Sequence, residues 1–160
     1  MDKTYEKFLR SGMDLAAVGI ECCRENTQYF CTPKGASVFG WAGTDGIHFC
    51  FIRGFGGMVF SVNPMNESQS YVHPLAKDFS DFLRLLLACG NEAALEQAWR
   101  WSREEFEAFL LKNPAAGEGE KTLKELAKAM KLTPMEQPWE YIRKLQSDFD
   151  YSRIKYTEDY

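Results

Sequence analysis

Residues 36–52 read ASVFGWAGTDGIHFCFI, two apolar runs separated by Gly43-Thr44-Asp45-Gly46. Asp-Gly between apolar runs is the strongest short-range hairpin signal, because such turns need positive φ and glycine supplies it at little steric cost. Residues 36–42 and 47–52 are therefore predicted to pair as antiparallel strands. In the second, Ile47, Phe49 and Phe51 share one face and His48, Cys50 and Ile52 the other. Downstream, Arg53-Gly54-Phe55-Gly56-Gly57 makes another turn, and residues 58–62 a strand stopped by Asn63-Pro64. Upstream, residues 29–32 read as a short strand before the Pro33-Lys34-Gly35 turn, and residues 71–73 add an edge strand ahead of Pro74. Connections this short force antiparallel pairing. The predicted class is α+β, an antiparallel β-meander of about four to six strands packed against several helices.

Helical periodicity surrounds the meander. A first helix spans residues 2–10, with Tyr5, Phe8 and Leu9 on one side and Gly12 as its breaker. Ser11-x-x-Asp14 then caps a second, with Leu15, Val18, Gly19 and Cys22 at i, i+3, i+4 and i+7, fading near Asn26. Asp78 or Ser80 starts a helix that buries Phe79, Phe82, Leu83 and Leu86 and stops at Gly90. Asn91 caps a short helix through Trp99, and Ser102-x-x-Glu105 is a capping box for one that buries Phe106, Phe109 and Leu110. After a linker at 115–119, Leu123, Leu126, Ala127 and Met130 repeat at helical spacing. Pro138 then opens a helix with Trp139, Ile142, Leu145 and Phe149. Residues 151–160 read as a strand, a docked tail or the cut end of a longer chain. The predicted organisation is an α+β core domain over 1–114 and a helical C-terminal extension over 115–160, packed on the same domain.

The composition explains this division. Nine of the 12 glycines precede residue 76, whereas 29 charged side chains follow residue 75 and only 13 precede it. The change is one of secondary structure, from glycine-punctuated strands to charged amphipathic helices. With 160 residues and 45% hydrophobic side chains, the chain can bury a core without disulfide staples. A net charge of −4 argues against the concentrated basic surface that general nucleic-acid binding needs. The first ten residues are too charged for a secretory signal, and the most apolar run, residues 82–89, contains Arg84 and is too short to span a bilayer. Those readings predict a cytoplasmic protein with no membrane partner, and leave the sequon Asn66-Glu67-Ser68 without meaning.

Few residues offer chemistry. Five cysteines (22, 23, 31, 50 and 89) are an odd number without a C-x-x-C pair, so reduced and mostly buried thiols are predicted. Two histidines, His48 and His73, show no zinc-binding spacing, and His73 reads as a turn residue. No metal or cofactor is predicted. Gly54-Phe55-Gly56-Gly57 is followed by strand-like sequence, whereas a phosphate loop precedes a helix. The carboxylates Glu104, Glu105, Glu107, Glu118, Glu120, Glu136 and Glu140 fall on solvated helix faces or linkers. Cys31, His48 and Cys50 form the one reactive cluster the strands could assemble. Phe39, Trp41 and Tyr29 could line a sheet face.

Three stretches, DGIHFCFI (residues 45–52), MVFSVNP (58–64) and LAKDFSDFLRLLL (75–87), together resemble the SUKH superfamily. The resemblance covers about residues 1–110. Many bacterial members of that family are immunity proteins that neutralise secreted toxins by binding them. It implies a non-enzymatic protein-binding module whose partner is another protein, such as a toxin domain. The sequence places the contact surface on the β region and its turns, at Trp41, Asp45, His48 and Arg53. Two alternatives stay open: a small-molecule binder or thiol-dependent enzyme with a pocket near Cys31, His48 and Cys50, and a structural domain of a longer protein.

Overall fold

A computed structural model describes residues 2–22, 28–43 and 45–156. Among them lie a five-stranded antiparallel sheet and six α-helices, an α+β fold. The strands β1 (Glu21–Cys22), β2 (Ala36–Ala42), β3 (Ile47–Ile52), β4 (Val59–Val62) and β5 (Val72–Ala76) follow one another across the sheet in chain order. In the decisive hairpin, Ala42 faces Ile47, Trp41 faces His48 and Ala36 faces Ile52. Gly46 takes φ +82°, and a Cβ there would strike the Tyr29 ring, so this glycine is needed both for the turn and for what packs on it. A register shift between Val38 and Gly40 turns Phe39 toward the same core as Phe49.

Both faces of the sheet are covered. On one, α1 (Lys3–Ser11) and α2 (Phe79–Cys89) bring Tyr5, Phe8, Phe79 and Phe82 against Phe39, Phe49 and Phe51. Asp2 caps α1 through the Thr4 and Tyr5 N–H groups, while Asp78 caps α2 and Gly90 closes it at φ +84°. On the other face, Cys50, Ile52, Phe60, Val62 and Val72 form a second core, roofed by Phe55, Phe149, Ile154 and Tyr156. The tail is therefore docked as far as Tyr156, which bridges to Pro33 while the Lys155 carbonyl accepts from Lys34 N–H at 2.7 Å.

The remaining helices are α3 (Ala93–Gln97), α4 (Arg103–Lys112), α5 (Gly117–Met130) and α6 (Pro138–Asp148). The Ser102/Glu105 capping box forms, and Pro138 opens α6. From α6, Tyr141 Oη donates to Asp81 at 2.6 Å, Arg143 reaches the Ala98 and Trp101 carbonyls, and Gln146 donates to Pro74 O at 3.2 Å. The last bond matters for the sheet: Pro74 has no N–H to offer and its carbonyl is occupied, so the β5 edge cannot template another strand there.

Several sequence expectations need correction. The second helix is only a 3-10 turn at Ala16–Val18; Gly19 takes φ +96° and ends it, and the chain enters β1, leaving Cys22 exposed. The remainder of that expectation, 23–27, lies outside the described residues. Residues 29–32 form a turn, because Thr32 Oγ1 accepts from Tyr29 N–H at 2.8 Å and Thr32 N–H donates back to Tyr29 O. The edge strand runs through Pro74 to Ala76, carrying His73 into the ladder as a buried strand residue instead of a turn residue. The short helix after Asn91 stops at Gln97, and α5 begins at Gly117, inside the expected linker.

Candidate functional site

The four residues singled out for partner contact do not share one surface. Trp41 and Asp45 lie at the end of the sheet formed by the β2–β3 turn, whereas Arg53 follows β3 at the opposite end, roughly 17 Å away by strand rise. There Arg53 lines a cavity of about 250 Å³ with Asp2, Tyr5, Ser37 and Phe51. His48 is 0% exposed, so it presents nothing to a partner. Its position was legible in the strand alternation; its coverage was not, because the covering groups come from residues 29–32 and from Trp41.

The surroundings of His48 also bear on the thiol-dependent alternative. Its Nδ1–H donates to Gly46 O at 2.8 Å, and its Nε2 accepts from Thr32 Oγ1 at 3.1 Å. Burial holds the imidazole below its ordinary 6.5, so the ring is neutral, with both nitrogens engaged. Burial likewise pushes the Cys31 thiol up to about 11 and raises Cys50 further. A nucleophilic cysteine needs the opposite shift and a free base beside it. Cys31 and Cys50 pack in the second core, and His48 spends both ring nitrogens on hydrogen bonds. The described residues contain no cluster of three His, Cys, Asp or Glu side chains suited to a metal ion. No described helix is long and apolar enough to cross a membrane.

What gathers at the turn end of the sheet is aromatic. Tyr29 packs on Gly46 and lies 5.6 Å from the Trp41 ring; Trp41 in turn covers His48 at 4.6 Å. Next to Tyr29, Phe30 is 49% exposed and meets Tyr71 edge-on at 5.3 Å. The β4–β5 loop reaches the same end: a Cβ at Gly46 would sit 3.1 Å from Pro64, and Asn63 N–H bonds Tyr71 O at 2.8 Å. Met65 of that loop is 74% exposed. Tyr29, Phe30, Trp41 and Tyr71, with Met65 in the adjoining loop, therefore lie at the end of the sheet whose turn carries the exposed carboxylate Asp45. Phe30, Met65 and Tyr71 were missed because each lies in a stretch read as strand or polar loop. Their sequence signal, a large apolar residue inside a polar turn, is weak on its own.

A buried polar pair on the helical side was also missed. Glu96 is only 4% exposed and accepts from Asn63 Nδ2 at 2.6 Å and from Gln97 Nε2. Nearby, burial raises the Glu92 carboxyl, with the Glu96 charge adding to it. The bonds of Glu96 to Asn63 and Gln97 tie α3 to the end of β4. No protein-family model matches the chain, nor does any curated protein or solved structure.

Proposed function

We propose that this protein is a non-enzymatic binding module that captures another protein, of the immunity type that neutralises a toxin domain. The observation that carries the reading is the aromatic surface around the β2–β3 turn. Half-exposed Phe30 and exposed Met65 cost free energy in water and gain it when a partner covers them. Aromatic side chains bring large contact area for little conformational entropy, and that is why they dominate binding hot spots. Tyr29 and Tyr71 add hydroxyls that can bond across an interface, and Asp45 adds a charge at its rim. The protonated thiols and occupied imidazole support a binding role over covalent chemistry. The resemblance to immunity proteins supplies the class of partner.

Co-expression with the products of neighbouring genes tests the reading. A toxin among them should lose its growth inhibition and co-elute with this chain in a stoichiometric complex. Phe30→Asp and Met65→Asp, both on exposed side chains, should abolish the complex while leaving the thermal transition in place. If every neighbour elutes separately and toxicity persists, the immunity reading is wrong.

A further inference from the structure

A second surface lies far from the aromatic patch, on the helical layer, and rests on different observations. Between α4 and α6 a cavity of about 300 Å³ opens to solvent, floored by Phe106, Leu110, Met135 and Trp139. Glu107, Glu136 and Glu140 stand around it. Leu111 is 84% exposed on α4, four residues after Glu107 and hence on the neighbouring part of the same helix face. The rim already binds a guanidinium: Arg103 contacts Glu107 at 2.9 Å and pairs with Glu140, joining α4 to α6. Glu136 has no such partner among the described residues and is exposed at the mouth.

We infer that this groove is a docking site for a cationic amphipathic segment of a partner protein. One large apolar side chain enters the cavity, a neighbouring one covers Leu111, and a lysine or arginine pairs with Glu136. Charge decides the occupant. A neutral apolar segment would fill the floor equally well but leave Glu136 unpaired, and an acidic one would set like charge against it. A second copy of this chain would have to bring a basic apolar face of its own. The inference is independent of the toxin-capture reading, since neither Leu111 nor Glu136 belongs to the turn-end surface.

Fluorescence anisotropy with three labelled synthetic helices tests it. One carries a leucine stripe flanked by lysine and arginine, the second the same stripe flanked by glutamate, and the third the basic flanks with alanine in place of leucine. The full chain should bind the first at least about tenfold more tightly than either of the others. Glu136→Lys and Leu111→Glu, both on exposed side chains that leave the fold intact, should each weaken it about tenfold, and added salt should weaken it further. The proposal fails if the glutamate-flanked helix binds equally, if none binds, or if neither substitution matters. It also fails if sedimentation shows the chain self-associating and Leu111→Glu abolishing that dimer, which would make the groove a self-interface.

Discussion

His73 gives the sharpest test of the packing, because its protonation is linked to folding. Its Nε2–H donates to Ser70 O at 3.0 Å, its Nδ1 accepts from Tyr151 Oη at 2.9 Å, and the ring stacks on Trp99 at 4.5 Å. Burial holds the imidazole down to about 4 from its ordinary 6.5, with the Arg143 charge adding to the shift. The unfolded chain therefore takes up a proton as pH falls through 6.5, while the folded chain stays neutral at this site until about 4. Stability contributed here is complete above 6.5 and is lost progressively below it. Between pH 7.5 and 5.0 the loss from this site is about 2 kcal/mol, from the ratio of the two proton-binding polynomials. His73→Gln keeps a donor for Ser70 O and removes the titration. Urea unfolding of both proteins at both pH values isolates the effect, since a constant penalty of the substitution cancels in the double difference. The variant should lose about 2 kcal/mol less than the parent between the two pH values, equivalent to about 1 M in relative midpoint at an ordinary urea slope. Equal losses in the two proteins would refute the buried, neutral ring.

Gly46→Ala should destabilise by about 1–3 kcal/mol in the same urea assay, because φ +82° is strained for alanine and its methyl meets Tyr29. Glu92→Gln should raise the midpoint of thermal unfolding at pH 7.5 and leave it nearly unchanged at pH 4. Burial raises this carboxyl, so the folded state favours the protonated form that glutamine mimics. Thiol titration with a disulfide reagent at pH 8 should find Cys31, Cys50 and Cys89 unreactive until denaturant is added, with Cys31 held up to about 11 and Cys89 to about 12. Rapid native modification of any of these three would show that the cores open far more readily than their packing implies. Tyr141→Phe should cost about 1–3 kcal/mol, since it deprives Lys77 N–H of its acceptor and Asp81 Oδ2 of its donor.

What the chain alone determined is what local chemistry determines. The Asp-Gly turn, the alternation through β3, the Ser102/Glu105 box, Pro138 and the stop at Gly90 act within a few residues, so each forms where the sequence places it. Of the candidate site, Trp41 and Asp45 were legible because a turn fixes its own neighbours. Tertiary structure decided the rest. Gly19 ends a helix whose apolar spacing invited continuation toward Asn26, and Thr32 spends its hydroxyl on Tyr29 and His48 instead of leaving the strand ladder intact. Whether His48 faces a partner or a core depends on side chains 7 to 19 positions away, and whether β5 is an open edge depends on Gln146. The second core is the clearest case. Nothing in the alternation of β3 tells that Phe149, Ile154 and Tyr156 return to cover its far face, because hydrophobic burial rewards contact without regard to sequence distance.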